Sequence, residues 1–146
     1  MPCLGTKEIE AILPQRYPFL LIDRVLDHKE DDYLIAVKNI TGNEWGSVNG
    51  VDQLEHWPET LLIEAGAQAA IVLYHVSKVK DKKPPQYFLG KVESDFFSPI
   101  RCGAQMTIAV KSGKMMNTGG YSDVEISENN TLVANLKMFY GVRPLL

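Results

Sequence analysis

Two polar side chains, Glu64 and Gln68, interrupt an otherwise apolar stretch of this 146-residue chain. They stand four residues apart, so on a helix they stack on one face. A carboxylate is costly to bury unless it is paired, hydrogen-bonded or protonated. One reading of Glu64 is a general acid or base whose pKa is raised by desolvation, with Gln68 supporting the site. The other is a structural Glu that caps a neighbouring strand or pairs with Arg or Lys across a dimer interface, and the residues leave both open. His56, in Glu55-His56-Trp57-Pro58, sits just ahead of the run and is either a catalytic partner or an ordinary loop histidine. His75 shares the Glu64 face by angle, but it lies roughly 16 Å along the helix axis, too far to act with Glu64 within one chain. His28 falls in a charged segment and is expected to be solvated. Cys102 follows Arg101 and precedes Gly103, with no His adjacent in sequence to activate it. There is no Gly-rich phosphate loop, no G-x-S-x-G elbow and no His/Cys spacing suited to a metal, so no cofactor is expected.

The elements that must position these residues follow from patterning. From Pro58 the chain runs to Ser77 with a single glycine, Gly66, which predicts a helix of about five turns. It is apolar almost all round, which implies burial on nearly every side. The small residues Ala65, Gly66, Ala67, Ala69 and Ala70 let other backbones approach closely, as a helix inside a curved sheet requires. Before it, Lys7 to Leu13 reads as a short amphipathic helix capped by Thr6, and Phe19 to Val25 and Tyr33 to Ile40 read as extended, joined by the polar run Asp27 to Asp32. After it, Gln86 to Glu93, Gln105 to Lys111, Tyr121 to Ser127 and Leu132 to Val142 read as strands, with turns at Gly113 to Gly120 and Glu128 to Asn130. In the last strand Leu132, Ala134, Leu136, Met138 and Tyr140 point one way, and Asn135 and Lys137 the other. One helix against a mostly antiparallel sheet is an α+β domain, and no repeat or linker divides residues 1–146.

Composition narrows the partners. Hydrophobic residues make up 45% of the chain and charged residues 23%, and 15 Lys+Arg against 18 Asp+Glu give a net charge of −3. A mild acidic excess supplies no field to hold nucleic acid or an anionic membrane surface. Cys3 and Cys102 are too few for a disulfide framework. The N-terminus has no signal-like pattern, and no apolar run approaches the roughly 20 residues of a membrane span. These features lead to the expectation of a soluble, cytoplasmic protein.

Longer motifs carry a resemblance. The segment Ile12-Leu13-Pro14-Gln15-Arg16-Tyr17-Pro18-Phe19-Leu20-Leu21-Ile22-Asp23-Arg24-Val25 resembles the opening signature of the bacterial 3-hydroxyacyl-acyl carrier protein dehydratases. Lys38-Asn39-Ile40 with Asn43-Glu44 is similar to the segment before their active-site loop, and Leu62-Ile63-Glu64-Ala65-Gly66-Ala67-Gln68-Ala69-Ala70 to their central helix. The resemblance implies a hotdog fold, in which a curved antiparallel sheet wraps the helix, and a dimer with active sites at the subunit interface. It implies dehydration of a 3-hydroxyacyl thioester, carried by acyl carrier protein, to the trans-2-enoyl thioester. A loop His would act with an acidic residue on the partner subunit's helix, while a backbone N–H near the helix start polarises the thioester carbonyl. Glu64 and Gln68 match the family's acidic residue and the glutamine after it.

The chain departs from that pattern ahead of the helix. The family's loop carries His-Phe-Pro-Gly-His, but an ungapped register from Asn43-Glu44 to Glu64 places Gly50 at the histidine position. His56-Trp57-Pro58 imitates His-Phe-Pro six residues out of register. The family's Gly at the helix start is Glu59 here, whose backbone N–H survives the change. The expected site residues are therefore Glu64 and His56 for catalysis, and Gln68, Glu59 and Gly50 for substrate. Three functions remain open at this point: a variant dehydratase, an acyl-binding subunit that partners a paralogue, and a thioesterase in which Glu64 activates water.

Overall fold

The computed structural model describes residues 3–41, 47–48, 51–52 and 57–143. Helix α1 covers Thr6–Ile12, one residue earlier than the sequence predicts, because Gly5 rather than Thr6 is the cap: the Glu8 carboxylate accepts the Gly5 N–H at 3.0 Å. Strands β1 (Arg24–Lys29) and β2 (Tyr33–Asn39) form a hairpin, and the short β3 (Ser47–Val48) and β4 (Val51–Asp52) pair separately. Helix α2 (Glu59–Tyr74) continues as a π-helical turn over His75–Val79. Strands β5 (Gln86–Phe96), β6 (Gln105–Met116), β7 (Gly119–Glu128) and β8 (Thr131–Arg143) complete a sheet of order β1-β2-β6-β7-β8-β5. Every pair in it is antiparallel. This is the hotdog arrangement that the motifs imply.

The sheet closes over α2. Leu62, Ala65, Ala69, Val72 and Leu73 are almost fully buried, against Ile108, Val124, Ile126, Leu136 and Met138 in the same core. Gly66 is needed at the tightest approach: a Cβ there would lie 2.8 Å from Leu136 Cδ1 and 3.1 Å from Met138 Cε. With its π turn the helix is 21 residues long, and by length and composition it could cross a membrane, contrary to the expectation that the run is too short. Of its apolar 18-residue window, 67% is instead buried inside the protein.

Three boundaries differ from the expectation, each for a physical reason. Regular pairing begins at Arg24 rather than Phe19, because the Phe19 carbonyl and Leu21 amide are bonded to the Gln68 side chain and not to a strand. The run from Asp27 to Lys29, expected as loop, is the end of β1, so His28 lies on a strand; it is half-buried rather than solvated. The segment from Gly113 to Gly120, expected as a turn, is mostly strand, with β6 reaching Met116 and β7 starting at Gly119. Gly113 is there to make room for the Tyr121 ring, which a Cβ would strike.

The two sheet edges are treated differently. At β1, Leu4 bridges Val25, occupying the outer strand's backbone. At β5, nine of eleven residues are exposed, including Phe88 at 53% and Leu89 at 44%.

Candidate active site

Glu64 and Gln68 project from one face of α2, as their spacing predicts. Gln68 is 1% exposed, and its amide is fully engaged. Oε1 accepts the Leu21 N–H at 2.8 Å, while Nε2 donates to the Phe19 carbonyl at 2.7 Å and to Glu64 Oε2 at 2.8 Å. One side chain thus fixes the chain after Pro18 and the Glu64 carboxylate together. Gln68 was expected to bind substrate; with its polar atoms bonded to protein, its place in the structure is that of a positioning residue. Glu64 is half-buried, and among the described residues no Lys or Arg pairs with it. The ion-pair reading of this carboxylate therefore has no support within the protomer.

Beside the helix runs a cavity of about 910 Å³. Glu64, Ala67, Gln68, Ala70 and Ile71 form one wall, Leu13 to Arg16 another, and Tyr87 to Leu89 with Met138 and Tyr140 the opposite one. Lys83 and Arg143 stand at its margin. The wall next to Arg16 is rigid, since the guanidinium donates to the carbonyls of Glu10, Leu13 and Gln15 and pairs with the Glu10 carboxylate at 3.2 Å.

The cavity is also lined by two tyrosines, Tyr87 and Tyr140, that pack on a third, Tyr74, at the C-terminal end of α2. The Tyr74 ring packs edge-on against Tyr87, with centroids 6.0 Å apart, and against Tyr140, 5.6 Å apart. Tyr74 donates its hydroxyl to the Met116 carbonyl at 2.6 Å. The Tyr87 hydroxyl is buried and finds no partner among the described residues, while the Tyr140 hydroxyl lies against that of Ser122, whose hydrogen bond opposes the rise in its pKa. Burial raises the pKa of all three phenols, that of Tyr140 to about 12, so they are neutral donors at physiological pH. Sequence reasoning missed these residues as site candidates, because an inward Tyr on a strand reads as core.

Glu59 is exposed on the first helical turn, where Pro58 is the cap. The Leu61 and Leu62 N–H groups donate to the Pro58 carbonyl at 3.0 and 3.4 Å, which leaves those of Glu59 and Thr60 without an acceptor in the helix. His56 and Gly50 lie outside the described residues. His75 is buried at 6% exposure, and its Nδ1 has no partner among the described residues. Cys102 is half-buried, its Sγ 3.9 Å from the Thr41 carbonyl, and it does not line the cavity. Among the described residues no cluster of His, Cys, Asp or Glu is suited to a metal.

A family model for the FabA-like domain matches residues 13–137, which include the cavity wall at Leu13, both Glu64 and Gln68, and most of the sheet. The chain belongs to the FabA-like family. Among its relatives, the 3-hydroxyacyl-[acyl-carrier-protein] dehydratase FabZ of Vibrio cholerae is 39% identical over 109 residues, covering 74% of this chain and 71% of that one. The corresponding enzyme of Histophilus somni is 40% identical over 108 residues, covering 74% and 72%. Solved structures share the fold at lower identity. The dehydratase heterocomplex ApeI:P from Xenorhabdus doucetiae superposes with a TM-score of 0.78 at 18% identity, covering 94% of this chain and 91% of that one. A mutant thioesterase from Pseudomonas aeruginosa gives 0.71 at 12% identity, covering 97% and 96%.

Proposed function

We propose that this protein is a 3-hydroxyacyl-acyl carrier protein dehydratase that uses Glu64 as one of its two acid-base groups. The observation that carries the reading is a carboxylate with no partnering Lys or Arg among the described residues, held by Gln68 at the wall of a largely apolar cavity. Elimination of water breaks the C2–H and C3–O bonds and forms the C2=C3 double bond. It needs a base at C2 and an acid at the departing hydroxyl. Glu64 supplies one of these, and His56 is the candidate for the other. In the ungapped register Gly50 takes the place of the family's loop histidine, which leaves His56 as the imidazole on that side of the helix. The Glu59 and Thr60 N–H groups at the start of the helix are the ones left to hold the thioester oxygen as charge develops on it.

The acting unit in this reading is a dimer. A bare, partly apolar edge such as β5 is a ready template for another strand, and natural proteins leave one open where a partner covers it. A second copy laid along β5 would also roof the cavity, whose wall includes Tyr87, Phe88 and Leu89.

The test is turnover of a 3-hydroxyacyl thioester on acyl carrier protein, followed by the absorbance of the enoyl product, beside thiol release from the matched saturated acyl thioester. Enoyl formation supports dehydration. Thiol release without enoyl formation replaces it by hydrolysis, and binding without either marks a non-catalytic partner subunit.

A further inference from the structure

Arg16 spends its guanidinium on the chain around it. Nη1 donates to the Leu13 and Gln15 carbonyls, both at 2.8 Å, Nη2 to the Glu10 carbonyl at 3.0 Å, and Nε pairs with the Glu10 carboxylate at 3.2 Å. Helix α1 stops here, with Leu13 extended at φ −97° and ψ 138°, and the last carbonyls of a helix have no N–H partner within it. A planar fork of donors gathers carbonyls from both sides of such a break, which an ammonium cannot do. The ion pair does not explain the arrangement, because at 55% exposure of the Arg16 side chain it contributes little. The bonding continues past the side chain. The Arg16 carbonyl accepts the Phe19 N–H at 2.7 Å, and the Phe19 carbonyl accepts from Gln68 Nε2 at 2.7 Å. The same Nε2 donates to Glu64 Oε2 at 2.8 Å. The two N–H bonds of a primary amide lie in one plane at a fixed angle, so the place of the Phe19 carbonyl sets the direction of the second bond. An unbroken series of bonded groups thus runs from α1 through Arg16, Phe19 and Gln68 to Glu64.

We propose that Arg16 is a positioning residue for the reaction, whose fork holds the turn from Arg16 to Phe19 where Gln68 can aim its amide at Glu64. The assignment rests on the dehydratase reading, which makes Glu64 an acid-base group. Gln68 Oε1 stays bonded to the Leu21 N–H whatever happens at Phe19, so loss of the fork misaligns Glu64 without releasing it. Misplacing a reacting group is costly even when the displacement is small, and substitutions along a connected network move rates by about 2- to 30-fold.

Steady-state turnover of a 3-hydroxyacyl thioester on acyl carrier protein tests this with Arg16→Met, which keeps an unbranched stem and removes every donor. The variant's kcat should fall about 2- to 30-fold with KM close to the parent's, because no contact with the substrate is lost. In a Gln68→Leu background, where the series is already cut, the same substitution should lower kcat no further. Arg16→Lys keeps the charge beside Glu10 but not the fork; its kcat should lie with that of the Met variant rather than the parent, and it decides the matter alone if the Met variant does not fold. A folded variant with the parent's kcat overturns the proposal. So does a rise in KM alone, which sets Arg16 against the substrate, or an equal loss of kcat with and without Gln68, which routes the effect elsewhere. In these outcomes the parent still turns over; a parent that forms no enoyl product overturns the dehydratase reading and this proposal with it.

Discussion

In the first half of α2, Gln68 bonds at once to Leu21, Phe19 and Glu64, and no polar atom of its amide is left over. At the other end of the same helix Tyr87 and His75 each bury a polar atom with no partner among the described residues. Both ends are enclosed by the same sheet, so burial alone does not separate them. What separates them is satisfaction: a saturated group such as Gln68 holds other parts in place, whereas an unsatisfied one costs stability in the free protein or awaits something that binds. The contrast assigns rigidity to the Glu64 end and an uncompensated cost of burial to the other end.

The sharpest way to break that assignment is Glu64→Gln. The substituted amide can still accept the Gln68 N–H, so the network and the melting temperature should change little. Removing one acid-base group should lower turnover of 3-hydroxyacyl thioesters by about 10²- to 10⁴-fold. A large fall in melting temperature with unchanged turnover would make Glu64 structural.

Gln68→Leu attacks the saturated end directly. It leaves the buried Leu21 N–H without the partner that Gln68 gave it, at about 1 to 3 kcal/mol, and removes the bond that Gln68 makes to the Phe19 carbonyl. Chemical denaturation should show a loss of roughly 3 kcal/mol, with turnover falling because Glu64 loses its hydrogen bond. A loss below about 1 kcal/mol would mean that water replaces the amide, and the claim of rigidity would fall.

Much of this contrast could be read in the chain before any coordinates. Helix α2 was legible because Leu61 to Ser77 contains no Pro and one Gly, and its burial because no polar face exists. The Glu64–Gln68 pair was legible because polar residues in such a run need a reason. The start of β1 was not, since Phe19 and Leu21 look like strand residues and their pairing with a side chain forty-odd positions later is a tertiary fact. The tyrosine end was invisible for a similar reason: only the register of β5 on β8, which sets Leu89 opposite Tyr140, brings Tyr87 and Tyr140 to the same end of α2.

Between the two ends lies Gly66, where the helix meets β7 and β8 most closely. Gly66→Ala adds a methyl 2.8 Å from Leu136 Cδ1, 3.1 Å from Met138 Cε and 3.3 Å from Val124 Cγ1. Overpacking costs about 1 to 3 kcal/mol, and the better helix propensity of Ala returns up to about 1 kcal/mol. Because the contacted atoms are ends of flexible side chains, the net loss expected is about 1 kcal/mol by urea denaturation. A stabilised variant would show that the sheet yields freely, and that Gly66 is not where the helix position is fixed.

The smallest effect expected belongs to His75, and it isolates the cost of an unsatisfied group from any ligand. Burial holds its pKa below the ordinary value, partly offset by a hydrogen bond between the ring and the Lys80 backbone. The unfolded chain therefore takes up this proton first, starting near pH 6.5, while the folded protein keeps the ring neutral. Above that pH the ring is neutral in both states and its contribution is complete. As pH falls toward the depressed folded value, stability is lost, and below that value the loss stops growing. Lys78 and Lys80 flank the ring in sequence but are held by Asp31 and Glu30, at 3.0 and 3.4 Å, so no unpaired carboxylate of that hairpin is left to favour the charged ring. Denaturation of the parent and of His75→Leu, from about pH 7.5 down to about pH 5, should give curves that separate on the acid side, with the variant losing less stability per pH unit. Parallel curves would show that His75 titrates alike in both states, and that its buried nitrogen is satisfied after all.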